Sequence, residues 1–163
     1  MNAIVAVCED WGIGRDGKLL VRSREDMRRF VDLTMGGTVV MGRKTFQSFP
    51  GGALKGRRNI VLTRSKDYAP EGAEVVGGAE ALREAIADAD PETVWLIGGA
   101  EVYRLLLDDC ERAYVTKFAT VEPADSFFPD LDADPAWKLA SLEQGGVTEE
   151  GAAISYALYE HLS

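Results

Sequence analysis

Short apolar runs rich in β-branched residues recur along this chain, and amphipathic stretches separate most of them. AIVAV, TVVM, NIVL, AEVV, TVWLI and RAYVTKF, with AAISYALYE near the end, each have the length and composition of a strand. Between them SREDMRRFVDLT, KTFQSF, AEALREAIADA and AEVYRLLL read as helices. That alternation predicts an α/β domain around a largely parallel sheet, because parallel neighbours need a long crossover and the helices supply it. The last strands have no helix between them and are predicted to pair antiparallel at an edge. PGGALKG and SKDYAPEG read as Gly/Pro loops, and EPADSFFPDLDADPAW as a longer irregular connection. At 163 residues and 46% hydrophobic content, one domain over residues 1–163 with a single core is expected.

The charge balance narrows the partners. Lys and Arg total 18 against 27 Asp and Glu, a net charge of -9, so the long-range field repels nucleic acid and anionic membranes. MNAIVAVCED has no basic leader region, and its apolar run is too short for a membrane span, so a cytoplasmic protein is expected. Cys8 and Cys110 have no CxxC spacing and no neighbouring histidine, which predicts reduced structural thiols and no metal site. His161 is the only histidine and lies two residues from the end, which argues against a hydrolase triad. Nothing in the sequence demands more than a monomer.

Asp26 is the most telling single residue. On a helix from Ser23 to about Thr34 it falls between Leu33 and Phe30 on the apolar arc, with Met27 and Val31 beyond. Glu25, Arg28, Arg29 and Asp32 are predicted to point away, leaving no cation on the stripe. A carboxylate facing an apolar surface costs several kcal/mol unless a cation or hydrogen bond meets it, and a ligand is one candidate partner. The other reading is a capping box, because Ser23 and Asp26 have the SxxD spacing of a helix start.

Glycines and cations cluster after several of the strands. GIGRDG matches GxGxxG, but KLLVRS follows rather than a helix, so a flexible loop that folds over a ligand is expected instead of a dinucleotide fingerprint. A better anion seat is IGGAEVY, where a strand runs through Gly98 and Gly99 into a helix. MGRKTF repeats the arrangement with Gly42, Arg43, Lys44 and Thr45. VLTRS is a third seat, with Thr63, Arg64 and Ser65 at a strand end. Ligands of α/β sheets collect outside the carboxyl ends of strands, and three seats there suit a ligand with several phosphates such as NADPH.

Taken together, AIVAV, GIGRDGKL, the Asp26 helix, TVVMGRKTF, LKGRRNIVLTR, IGGAEVY, YVTKF and DSFFPD resemble the dihydrofolate reductase family over most of the chain. The resemblance implies a three-layer α/β fold with a central, mixed, mostly parallel eight-stranded sheet flanked by helices. It implies NADPH-dependent reduction of 7,8-dihydrofolate to tetrahydrofolate for one-carbon metabolism, with hydride transfer to the pterin C6 and protonation at N5. Dihydrofolate and antifolate inhibitors are the partners it implies.

The same resemblance assigns roles. Asp26 matches the carboxylate that meets the pterin 2-amino group and ring nitrogen, and Thr116 the threonine that supports it. Phe30 matches the aromatic packed on the ligand, and Arg57 the arginine that grips the glutamate carboxylate. Ile4, Ala6, Met27 and Ile97 match pocket-lining positions. Toward NADPH the matching positions are Ala6 and Ile13, then Arg43, Lys44 and Thr45. Thr63 and Arg64 follow, and finally Gly98, Gly99, Ala100, Glu101 and Val102. One departure stands out: the family's LPW is here Leu19, Leu20 and Val21. Val21 takes the place of a tryptophan that packs beside the pterin and helps hold a water, so a roomier, more aliphatic pocket mouth is expected. Two other functions share parts of this pattern: a related reductase of a ribosylated pyrimidine in riboflavin synthesis, and an NADPH- or folate-binding module without catalysis.

Overall fold

A computed structural model describes residues 1–162. The chain begins with β1 (Asn2–Val7) and a small hairpin, β2 (Gly12–Arg15) and β3 (Lys18–Leu19), then α1 (Arg24–Thr34), β4 (Thr38–Gly42) and α2 (Arg43–Gln47). β5 (Arg58–Leu62), β6 (Ala73–Val76), α3 (Ala79–Ala85), β7 (Val94–Gly98) and α4 (Ala100–Leu106) follow. It closes with β8 (Arg112–Phe118), β9 (Ser126–Phe127), β10 (Trp137–Val147) and β11 (Ala153–His161). Eight strands form one sheet in the order β10-β11-β8-β1-β7-β4-β5-β6. The pairs from β8 to β6 are parallel, while β11 pairs antiparallel with both β8 and β10.

Strict alternation along the central strands sends side chains to two faces. Ala3, Val5, Val7, Val40, Leu96 and Val115 join a larger core with Leu82 of α3 and Tyr103 and Leu106 of α4. Ile4, Val39, Met41, Val61 and Trp95 join a smaller one with Phe46 of α2 and, partly buried, Phe30 and Leu33 of α1. Helices therefore cover both faces, as the near-continuous apolar strands require. Among the described residues, no helix is long and apolar enough to cross a membrane.

The sheet is not paired evenly. β1 and β8 are in register from Asn2↔Arg112 to Val7↔Lys117, but β1 and β7 pair only at Asn2↔Trp95 and Ala3↔Leu96. Beyond that point the two strands part. The Ile4 carbonyl is taken instead by the buried Tyr103 hydroxyl, which donates to it at 2.6 Å. β7 also lies between β1 and β4 although it follows both in sequence, so the strand order reverses here, where α/β sheets open a crevice.

Three segments differ from the sequence expectation. GIGRDG is not an open loop: β2 and β3 form a hairpin whose turn residues Asp16 and Gly17 both have positive φ, and β9 extends it to a three-stranded sheet. Asp-Gly is the pair that such a mirror-image turn favours, so the signal was present. β9 is a two-residue piece of the stretch read as irregular or extended, and its pairing with β2 is what the sequence does not indicate. β10 was not expected at all, because only Trp137 of its eleven residues is buried and an exposed edge strand shows no apolar pattern.

The hairpin is anchored through Phe128, which is fully buried, stacks on Trp11 at 6.2 Å and meets Tyr103 edge-on at 4.9 Å. The Phe128 N–H also donates to the Trp11 carbonyl at 2.9 Å. Phe128→Ala is expected to lower unfolding free energy by about 3–5 kcal/mol in urea titration. Amide exchange in β2 and β9 should quicken more than in β4 and β5.

Candidate active site

Asp26 sits in the first turn of α1, and both sequence readings of it meet here. Ser23 caps the helix, its hydroxyl accepting from the Asp26 N–H at 3.1 Å. The carboxylate does not return that bond, as a full capping box would require. Its Oδ1 accepts instead from the Thr116 hydroxyl at 2.6 Å, tying α1 to β8. No buried side-chain oxygen or nitrogen among the described residues lacks a partner, so Oδ2 is reached by solvent. Burial pushes the Asp26 carboxyl above the usual carboxylate range, while the Thr116 bond and the Arg29 charge pull it back.

Arg29 and Glu25 correct the predicted helix face. Arg29 is half-buried, its guanidinium carbon 4.3 Å from the centre of the Tyr156 ring and 6.0 Å from that of Tyr114. Glu25 accepts from the Gly146 N–H at 3.1 Å and from the Tyr156 hydroxyl. Side chains expected to face water thus pack on β8, β10 and β11. No local pattern indicates this packing, because those strands lie more than eighty residues further along the chain.

The other positions expected to meet the substrate lie on β1, β7, β8 and α1. Ile4 and Thr116 are buried and Ala6 and Ile97 partly so, with Ile4 and Ala6 on β1, Ile97 on β7 and Thr116 on β8, and Phe30 is half-buried on α1. Met27 is 54% exposed, which puts it at the rim rather than in the lining. Val21 borders a small hollow with Leu19, Leu20, Ala6 and Ile13, so the aliphatic replacement of the tryptophan lies against the end of β1. Trp11 is in the opposite core against Phe128 and Tyr159 and does not take over that position.

Arg57 lies at the far end of α1. Its Nη1 donates to the Thr34 hydroxyl at 3.2 Å and its Nε to the Lys55 carbonyl at 3.0 Å, while its Nη2 makes no bond among the described residues. Thr34 is fully buried and donates in turn to the Phe30 carbonyl at 2.8 Å, so the last turn of the helix orients the guanidinium. Partial burial draws its pKa below the ordinary arginine value, but an arginine stays charged. Eight residues of helix, about 12 Å of rise, separate Asp26 from Thr34.

The three glycine and cation seats come together because β7, β4 and β5 are adjacent and parallel. Their carboxyl ends share one edge, spanning about 10 Å at ordinary strand spacing. Gly98 has φ +135, which an L side chain rarely adopts, and a Cβ on Gly99 would meet the Thr45 hydroxyl at 3.3 Å. A Cβ on Gly42 would meet Val102 at 3.0 Å, so the starts of α2 and α4 are in close contact. α2 has five residues and α4 seven, so an anion here meets first-turn N–H groups of α2, Ala100 and Glu101 more than a summed helix dipole. Lys44 and Arg64 are exposed, Thr63 and Ser65 half-buried. Arg43 stacks on Tyr68 with its guanidinium carbon 4.1 Å from the ring centre, a partner the sequence did not indicate. Glycines that hold space open beside cations and hydroxyls fit a phosphate-bearing cofactor such as NADPH.

Comparison with known proteins agrees with this geometry. The dihydrofolate reductase family profile matches residues 1–161. Dihydrofolate reductase of Mycobacterium tuberculosis is 40% identical over 91% of this chain and 89% of that protein. The enzyme of Neisseria gonorrhoeae is 33% identical over 96% of this chain and 95% of its own. Among solved structures, dihydrofolate reductase from Enterococcus faecalis complexed with NADP(H) and RAB-propyl superposes with a TM-score of 0.86 at 34% identity, covering 99% of this chain and 96% of that one.

Because the Thr116 bond lowers the Asp26 pKa, removing it should raise it. Thr116→Val is expected to move the Asp26 carboxyl titration, followed by carbon NMR, to higher pH. It should also cost about 1.5–3 kcal/mol of stability at neutral pH, the range for a hydrogen bond to a charged group.

Proposed function

The chain belongs to the dihydrofolate reductase family, and from that premise we propose how its residues divide the work. It is an NADPH-dependent oxidoreductase that reduces 7,8-dihydrofolate to 5,6,7,8-tetrahydrofolate, with a hydride reaching pterin C6 and a proton reaching N5. NADPH, when bound, supplies that hydride from its nicotinamide. The residues must hold two rings face to face and favour positive charge on the pterin.

The observation that carries our assignment is the Asp26 carboxylate of α1, with one oxygen held by Thr116 on β8 and the other open. Its free oxygen receives the pterin 2-amino group and ring nitrogen, and its negative charge favours the protonated, iminium-like pterin. Thr116 is the positioning partner. The proton itself comes to N5 from water, because Asp26 contacts the other side of the heterocycle. Phe30, Ile4, Ala6 and Ile97 confine the ring, with Val21 and Met27 toward the mouth.

Arg57 takes the glutamate carboxylate through its unclaimed Nη2 edge. A carboxylate at one end of α1 and a cation about 12 Å away at the other suit an elongated ligand that is cationic at its head and anionic at its tail. Asp26, Phe30 and Arg57 together favour folate over the riboflavin-pathway alternative. For NADPH, Arg43, Lys44, Thr45, Thr63, Arg64 and Ser65 receive phosphates. Gly42, Gly98 and Gly99 admit the pyrophosphate, Ala100, Glu101 and Val102 border it, and Ala6 and Ile13 border the nicotinamide.

Oxidation of NADPH on addition of dihydrofolate, followed by absorbance, tests the activity; binding of both without oxidation would select the non-catalytic module. Asp26→Asn is expected to slow hydride transfer at least about a hundredfold and to leave NADPH affinity unchanged. Normal turnover in that variant would defeat the assignment. The same change should stabilise the free protein at neutral pH. A raised native pKa means that the native state holds more protons than the unfolded one, so the wild type loses stability as pH rises through the Asp26 titration. The melting advantage of Asp26→Asn should therefore shrink as pH is lowered toward 4. Arg57→Leu is expected to raise KM for dihydrofolate by about tenfold or more, with little change in kcat.

A further inference from the structure

We propose that Arg29 is a positioning residue of the reductase: held on the Tyr156 and Tyr114 rings one turn beyond Asp26, it supplies a fixed positive charge beside the carboxylate without occupying it. The proposal rests on Asp26 being the carboxylate that meets the heterocycle.

The surroundings are well defined. Positions three apart on a helix are neighbours, so Arg29 lies next to Asp26 along α1. Yet no ion pair between them occurs among the described residues, and the guanidinium sits over the Tyr156 ring. A cation over a tyrosine face keeps its charge while losing freedom to move. Tyr156 is itself held, because its hydroxyl donates to Glu25, and Glu25 also takes the Gly146 N–H from β10. The one neighbouring anion on the helix is thus engaged by two donors on the sheet. The charged and titratable groups around Asp26 are then Glu25 and Arg29 from α1 and Tyr156 from β11, with Tyr114 beside Arg29 and the Thr116 hydroxyl from β8. From the segment before α1, Ser23 spends its hydroxyl on the Asp26 N–H, and the Arg22 side chain is exposed.

The arrangement has a chemical consequence. A direct Arg–Asp ion pair would cover the carboxylate oxygens with N–H groups, and a cationic heterocycle would have to displace them. A guanidinium held back on an aromatic ring acts on the carboxylate through the field alone. The outer oxygen stays available, and the ionised form persists to lower pH than burial by itself would allow.

The test uses binding of a 2,4-diaminopyrimidine, a base that binds as its cation, measured by fluorescence titration across pH. In wild type, affinity should fall on the acid side as Asp26 takes up a proton. Arg29→Met keeps the aliphatic packing and removes the charge; its acid limb should move up by about one pH unit, the lower end for loss of an opposite charge at this range. Arg29→Lys should lie near wild type, and Arg28→Met, which changes an exposed neighbour, should coincide with it. Tyr156→Leu, which removes the ring that holds the guanidinium, should shift the limb in the same direction and covers the case in which Arg29→Met does not fold. Acid limbs of Arg29→Met and Tyr156→Leu that overlie wild type would overturn the proposal and leave Arg29 as packing alone. An equal shift in Arg28→Met would overturn it too, by making the effect one of net charge. If Asp26→Asn binds the diaminopyrimidine as wild type does, the reading of Asp26 itself fails, an outcome distinct from a failure of Arg29.

Discussion

A hydroxyl on β8 holds the carboxylate of α1, and the chemistry of this protein is arranged around that 2.6 Å bond. It joins α1, which packs on one face of the sheet, to β8 beside β1. An ionised group half-surrounded by apolar side chains persists only where some of its lone pairs are satisfied. Thr116 satisfies one oxygen, and the other remains for a ligand. The same carboxylate is a burden to the free protein, because burial raises its pKa and its ionisation weakens the fold. The structure accepts instability at the proposed pterin site.

The second organising feature is the parting of β1 from β7. Two paired residues hold the strands together at one end, and beyond them the Ile4 carbonyl turns to Tyr103. Without that hydroxyl a backbone acceptor in the middle of the sheet would be left buried and unpaired. The gap brings the face covered by α1 and α2, where we propose that the substrate sits, beside the strand ends proposed to receive the cofactor phosphates. A net charge of -9 would repel a polyanion at a distance. Short-range cations and backbone N–H groups at three neighbouring strand ends overcome this locally.

Much of this was legible in advance, for identifiable reasons. β1, β4, β5 and β7 lie within one residue of the bounds their apolar runs suggested, because strands buried on both faces are written as near-continuous apolar sequence. Asp26 stood out because a carboxylate on an apolar helical arc is anomalous wherever the helix goes. Less could be read where the partner is distant or the strand exposed. β10 owes its existence to pairing with β11 and carries almost no buried side chain of its own. Arg29 looked like a solvated charge until the tyrosines of two later strands came to lie beneath it. Met27 looked like pocket lining and stands at the rim.

What the chain specifies by itself is the local alphabet: where strands and helices form, which side of α1 is apolar, and that glycines with cations follow three strands. These depend on residues within a turn or two of one another, and neighbour chemistry settles them. Strand order, the early end of the β1 and β7 pairing, the Thr116 partner of Asp26 and the aromatic seat of Arg29 were decided only in the folded molecule. Each depends on how surfaces far apart in sequence fit when the two cores close, a matter of packing that no short window contains.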